Sequence, residues 1–197
     1  MNWEQVTQEL FRLAAPYLNV RDDLLHTRVA NKYALDLLEK EVGDKMIVEP
    51  AVILHDVGWS RLKPEEIKVA FGVNAKGEKG KQLNRIHEVE GAGIAREILT
   101  KLDYDRPSTD EIARIIERHD SGKNPQTIEE KIVKDADRLW RVSRIGYYYE
   151  MERQNTTHEV RYRFLTRNMG KWFYTKTAME LADMELQARV KEHGEKR

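Results

Sequence analysis

Apolar residues recur at three- and four-residue intervals along nearly the whole chain, and that helical period leaves little room for other secondary structure. Residues 3–15 carry Trp3, Val6, Leu10, Phe11 and Ala14 on this period, and Pro16 closes the stretch. A second helix is expected over about 22–42, with Leu25, Val29, Leu35 and Leu38 inward, His26 in its first turn or two, and Gly43 as its stop. A short third helix, about 48–57, ends at His55-Asp56 just before Gly58. Gly72, Gly77 and Gly80, interleaved with Lys76, Lys79 and Lys81, read as a mobile polar loop. The next helix is expected over about 83–102, with His87 near its start. Ser108 and Glu111 then stand at capping-box spacing. Beyond them Ile112, Ile115, Ile116 and His119 share one stripe, which puts His119 on a buried face. A long helix is expected over about 128–154, carrying Asp135 and Asp137, and the tail from 158 to 193 is again helical and rich in aromatics. No convincing run of strands and no internal repeat interrupts this pattern. The chain is expected to fold as one all-α domain spanning residues 1–197.

Composition narrows the chemistry. The 197 residues can bury a sizeable core unaided, and the absence of cysteine excludes thiolate zinc sites, thiol catalysis and disulfides. Lys plus Arg (34) balances Asp plus Glu (34), so no global field draws the chain to nucleic acid or to a membrane surface. A local basic patch is still available around Arg138, Arg141 and Arg144. The N-terminal segment reads as an amphipathic helix, not a signal peptide, and nowhere do 18 apolar residues run together. The expectation is a soluble, cytoplasmic protein with neither a membrane nor a nucleic acid as partner.

Against this background one series of residues stands out. His26, the adjacent His55-Asp56, His87, His119, and then Asp135 and Asp137 follow one another along the chain, and four of its six histidines belong to the series. Imidazole and carboxylate together form the mixed nitrogen and oxygen ligand set suited to Mn, Fe, Ni, Co or Zn, and less well to Ca. Several helices projecting ligands towards one centre is how a helical domain builds such a site. His55 and Asp56 would point about 100° apart on a regular helix, so both reach one ion only where the helix ends or bends, a freedom expected from Gly58.

The order His26, His55-Asp56, Asp137 resembles the HD superfamily of metal-dependent phosphohydrolases, as do the segments LLHTRVANKYALDLL, AVILHDVGW, RIHEVEGAGIAREIL, IARIIERHD and VKDADRLWRVSRIG in their order. The resemblance covers about residues 20–150 and implies an all-α HD-type core with a C-terminal helical extension over about 156–193. It implies a divalent ion (Mn, Co, Ni, Mg, Zn or Fe) held by His26, His55, Asp56 and Asp137. Asp137 is preferred for its Ala136-Asp137-Arg138 context, with Asp135 as the fallback. His87 and His119 are then expected to hold the phosphate of a phosphorylated small-molecule substrate, a nucleotide first of all. The resemblance equally allows a second ion at His87 and His119 with Asp56 bridging. HDSGKNP after His119 lacks the Gly-Tyr-Pro signature of the cyclic-dinucleotide phosphodiesterases, whereas the DADRL stretch is similar to single-metal nucleotide pyrophosphohydrolases. The activity implied is hydrolysis of a phosphoester or phosphoanhydride. Its rivals are a mixed-valent di-iron oxygenase acting on a polyol or phosphonate, and a nucleotide-binding sensor domain.

Some further residues are candidates on their chemistry alone. Lys63, Arg85 and Lys123 could anchor phosphate, Asp120 and Glu90 could serve as bases, and Trp59 and Trp140 could wall the pocket. The Tyr147-Tyr148-Tyr149 run and RYRFLTRNMGKWFY offer rings for stacking a base or, at helical spacing, for packing and a homodimer interface.

Overall fold

The computed structural model of the chain describes residues 2–20, 23–70 and 77–194. Among them are ten α-helices, two short 3-10 turns and no strand. The helices are α1 Trp3–Ala14, α2 Asp23–Leu38, α3 Lys45–Leu54, α4 Pro64–Ala70, α5 Glu78–Lys101, α6 Arg106–Ile116, α7 Ile128–Leu139, α8 Arg144–Arg153, α9 His158–Trp172 and α10 Lys176–Gly194. The 3-10 turns, Ala15–Tyr17 and Val57–Arg61, follow α1 and α3.

The centre of the molecule is α3, and its sequence says why. KMIVEPAVIL is apolar almost all round, and a helix with no polar face is stable only when surrounded. Every residue from Ile47 to Leu54 is buried. Around it stand α1, α2, α6 and α7, while α5 lies along α6 and over the Val57–Arg61 turn, and α10 packs on α7 and α9. The buried position of α3 delivers whatever follows Leu54, namely His55 and Asp56, to the interior.

The helix readings differ from the structure in ways that have local causes. The buried stripe of α2 is Thr27, Ala30, Asn31, Ala34 and Leu37, not the four residues expected; Leu25 is 40% exposed, and Val29, Leu35 and Leu38 are half-buried. Small side chains bring α2 close to α3 and α7, and this rotation is what aims His26 inward. The helix at 106 is capped by Asp105, which accepts from the Ser108 N–H at 2.9 Å, so Ser108 is not the cap. The expected helix over 128–154 is two helices. Ser143 interrupts it: its hydroxyl donates to the Trp140 carbonyl and accepts from the Gly146 N–H, which starts α8 anew. Likewise the tail breaks at 173–175, where Thr175 accepts from the Ala178 N–H and opens α10. Of the expected polar loop, Gly72 and Lys76 lie outside the described residues, whereas Lys79, Gly80 and Lys81 already belong to α5, which begins just after Gly77. Helix α4 was not anticipated, although Pro64 in a first turn and Glu66 accepting from the Lys63 N–H are ordinary start signals.

Candidate metal centre

Helix α3 ends at Leu54; His55 still has helical dihedrals, whereas Asp56 (φ −101°, ψ 2°) has left the helix. That bend turns the two adjacent side chains to one point, His55 Nε2 and Asp56 Oδ2 being 3.4 Å apart. Gly58 has a different part from the one expected of it. Its φ is not positive, but a Cβ there would collide with the His87 carbonyl and come within 2.6 Å of the Gly91 nitrogen. The glycine lets the turn after α3 lie directly on the backbone of α5, which carries His87.

His26, in the first turn of α2, brings its Nε2 to 3.0 Å from His55 Nε2, 3.5 Å from Asp56 Oδ2 and 3.2 Å from Asp137 Oδ1 on α7. His55 Nε2 to Asp137 Oδ1 is 3.8 Å, so Asp137 joins the group of His26, His55 and Asp56 through the two histidines. Donors about 2.1 Å from a cation stand about 3.0 Å apart in an octahedron and about 3.4 Å apart in a tetrahedron, so this cluster has the size of a divalent coordination shell. Its chemistry fits as well. His55 Nδ1 lies 2.6 Å from the Val52 carbonyl, to which it donates, and that leaves Nε2 facing the other three groups. Burial works against charge on His55, but the Asp56 and Asp137 carboxylates prevail and raise its pKa to about 9. Asp137 is held far below the carboxylate range despite its burial, by His26 first and then by Arg141 and His55. Two clustered carboxylates thus call for positive charge, and a divalent cation meets that demand better than a proton on one imidazole.

A second group shares Asp56. His87 Nε2 and His119 Nε2 are 3.3 Å apart and lie 3.9 and 3.7 Å from Asp56 Oδ1. Both rings are buried. His119 donates from Nδ1 to the Ile116 carbonyl at 2.7 Å, and Asp56 raises its pKa against the effect of burial. The Trp59 indole stacks flat on His87, with centroids 3.9 Å apart and planes at 11°, and its N–H donates to Asp56 Oδ1 at 2.9 Å. Oδ2 of Asp56 therefore faces the four-donor cluster while Oδ1 faces the histidine pair.

Asp135 is not part of either group. Its carboxylate accepts from the Tyr174 and Thr175 N–H groups and from the Thr175 hydroxyl, on the far side of α7, and burial pushes its pKa up to about 6. A small, open cleft lies above the cluster, lined among others by His26, Asp56, His119, Asp137, Trp140 and Arg141. Trp59 and Asp120 also line it, but Lys63, Arg85, Lys123 and Glu90 do not. Arg85 is engaged with Glu88 and Glu117, and Glu90 faces Arg61 on the surface.

Two supporting residues escaped the sequence reading of the site. Glu88, fully buried, accepts from the N–H groups of Asp120 and Ser121. Lys134, also fully buried, donates from Nζ to the carbonyls of Arg118, His119 and Gly122. Together they fix the turn that carries His119. The available signal was Lys134 amid apolar neighbours four residues after Glu130, a pair that is usually a solvated one.

The HD domain family model matches residues 24–141, a span that includes all six of His26, His55, Asp56, His87, His119 and Asp137. Among solved structures, the chain resembles a predicted HD superfamily hydrolase from an uncultured Thermotogales bacterium, with TM-score 0.67, 20% identity, and coverage of 99% of this chain and 97% of that one. It also resembles YpgQ of Bacillus subtilis, with TM-score 0.59, 20% identity, and coverage of 95% and 92%. These two likenesses speak for the fold. No curated protein matches the sequence significantly.

Proposed function

The chain belongs to the HD domain family, and from that premise we propose that it is a metal-dependent phosphohydrolase acting on a phosphoester or phosphoanhydride bond of a nucleotide. The observation that carries the reading is the cluster of His26, His55 and Asp56, with Asp137 beside both of its histidines, gathered from three parts of the chain beneath a cleft and beside two further buried histidines. In this reading those four residues hold one divalent ion, Mn first, with Co, Ni, Mg, Zn and Fe as the other candidates. When bound, such an ion neutralises phosphate oxygens and lowers the pKa of a water.

The chain's own groups do the rest. His87 and His119 present neighbouring Nε2 atoms that can meet oxygens of one phosphate. His119, whose proton affinity Asp56 increases, donates a hydrogen bond to an oxygen that gains negative charge. Trp59 holds the His87 ring in place by stacking, so little reorganisation is needed when substrate arrives. Trp140 and Tyr149, with centroids 5.9 Å apart on the cleft wall, offer aromatic faces to a base. The same proposal takes the family core and α9–α10 as one domain of a cytoplasmic protein, with a homodimer as its assembly. No helix among the described residues is long and apolar enough to cross a membrane.

One observation favours a second reading. Asp56 Oδ1, His87 and His119 form a three-donor group that could take a second ion, as a di-iron oxygenase would require. Its edges to Asp56 are longer, and Oδ1 already accepts the Trp59 N–H, so the one-ion reading is preferred. The test is elemental analysis of protein purified without chelator, followed by phosphate release from a nucleotide panel with the ion restored. About one Mn, Co, Ni or Zn per chain with metal-dependent release is expected. A metal-loaded protein inert towards the whole panel would sink the proposal, and two irons with oxygen consumption would promote its rival.

A further inference from the structure

Arg141 stands in the break between α7 and α8, one turn beyond Asp137, on the wall of the cleft that holds the donor cluster. Its backbone is fixed on both sides: its N–H donates to the Arg138 carbonyl at 3.0 Å, and its own carbonyl accepts from Arg161 Nη2 at 2.9 Å. Arg141 as a residue is half-buried, and among the described residues no carboxylate lies within ion-pair distance of its guanidinium. Its ring contact among the described residues is Trp172 at 5.7 Å, near the outer limit for a cation over an aromatic face.

The neighbouring arginines are committed elsewhere. Arg153, the other arginine of this wall, donates to Glu150 at 2.7 Å. Arg138 donates to the Trp172 carbonyl and lies over the Tyr174 ring, and Arg144 donates to Glu192 at 3.0 Å. The nearby Asp137 carboxylate is turned to His26 at 3.2 Å. Among the described residues Arg141 is therefore the cleft guanidinium that no carboxylate meets at contact distance, Asp137 being drawn to it only across a longer gap. A partly desolvated cation in that position is stabilised by an anionic ligand, and the planar fork of arginine matches two oxygens of a phosphate.

We infer that Arg141 binds the non-bridging oxygens of a substrate phosphate from the cleft wall it shares with His26, Asp137 and Trp140. The inference rests on the phosphohydrolase reading and adds its specificity: the site selects for a phosphoryl dianion and against an uncharged polyol.

Titration calorimetry of the Mn-loaded protein with inorganic phosphate, and separately with pyrophosphate, tests it. Wild type is compared with Arg141→Gln, Arg141→Lys and, as control, Arg144→Gln, each checked for bound Mn and for helical circular dichroism. Loss of a charge-assisted pair of hydrogen bonds corresponds to a weakening of about 10–100-fold for Arg141→Gln. Arg141→Lys, which keeps the charge and loses the fork, should fall between, and Arg144→Gln should bind as wild type does. Weakening confined to pyrophosphate places Arg141 on a second phosphate of the substrate; weakening for both anions places it on the reacting one. Wild-type binding by Arg141→Gln, or equal losses in Arg141→Gln and Arg144→Gln, would overturn the assignment and leave the phosphohydrolase reading standing. A Mn-loaded wild type that binds neither anion would overturn both. Should the glutamine variant fail to fold, the lysine variant decides: full wild-type affinity there overturns the role of the fork.

Discussion

A single hydrogen bond sets the direction of His55: with Nδ1 held on the Val52 carbonyl, Nε2 has nowhere to face but His26, Asp56 and Asp137. The two aspartates of the DAD triplet are separated in the same way, by where each carboxylate finds its partners. This gives a first prediction: His55→Ala and Asp137→Ala fold but lose bound metal, whereas Asp135→Ala keeps it. Asp135→Ala should instead lose stability, by about 1–3 kcal/mol, because the Tyr174 and Thr175 N–H groups lose their acceptor. Metal content by elemental analysis and urea melts of the three variants decide it, and loss of metal in Asp135→Ala alone would reverse the assignment. A second prediction concerns Trp59→Phe. The ring over His87 is kept while the N–H donor to Asp56 Oδ1 is removed, so metal affinity should fall by about 10–100-fold with little change in the fold; an unchanged affinity in a chelator competition would show that the indole merely packs. The residues of the donor cluster were legible as a group in the sequence because His and Asp in that order are few and carry one chemistry. Arg141 was legible only as one of three arginines in a basic patch, and Lys134 not at all, because nothing in a sequence of 34 basic residues tells which cations are balanced and which are buried.

Helical period gave the number of turns but not where they break, and the breaks decide the site. The residue that separates α7 from α8 is Ser143, a polar side chain that ties back to Trp140, and the period of the flanking apolar residues runs straight through it. The inward face of α2 was misjudged for the opposite reason: its leucines are more apolar, but close packing on α3 and α7 favours Thr27, Ala30 and Ala34, and it leaves Leu25 for the rim of the cleft. By contrast α3 was legible, since a helix apolar on all sides can only be central. At this scale Gly58→Ala is expected to be severely destabilising, more than about 3 kcal/mol, because its Cβ meets backbone of α5 that has no rotamer with which to yield. A melt within a few tenths of a kcal/mol of wild type would show that the two elements can slide apart freely. Lys134→Met removes the donor to three carbonyls at the end of α6 and should cost about 2–4 kcal/mol. Burial lowers the Lys134 pKa to about 8. Between there and the ordinary lysine value near 10.4 the unfolded chain binds more protons than the native one, so wild type gains stability on Lys134→Met as pH rises through this window. A difference between the two that stays flat from pH 8 to 10 would mean that burial leaves the Lys134 pKa where it is in the unfolded chain and that the ammonium persists in the folded one.

For the molecule as a whole, the proposed site makes a bound ion a cross-link. His26, His55-Asp56 and Asp137 come from points more than a hundred residues apart in the chain and from helices that pack around α3, so an ion bound there stabilises the assembled core and not the unfolded chain. At about 100 times its Kd such an ion contributes about 2.7 kcal/mol, which for a chain of this size is a rise in Tm of about 5–11 °C over the chelated protein. The pH dependence of that gap follows from His55. In the metal-free protein its pKa is about 9, above the ordinary histidine value near 6.5. The interaction of protonated His55 with Asp56 and Asp137 is therefore fully present below about pH 6.5 and is lost as pH rises through 9. Metal binding has the reverse slope, because the same proton must leave Nε2 before the ion can take its place. The gap in Tm between metal-loaded and chelated protein should consequently widen steadily from pH 6.5 to 9, and binding at pH 7 should release close to one proton, measurable by calorimetry in buffers of different ionisation enthalpy. A gap that narrows over this range, or binding without proton release, would mean that His55 is already neutral in the metal-free protein and that the two carboxylates are balanced by something other than its proton.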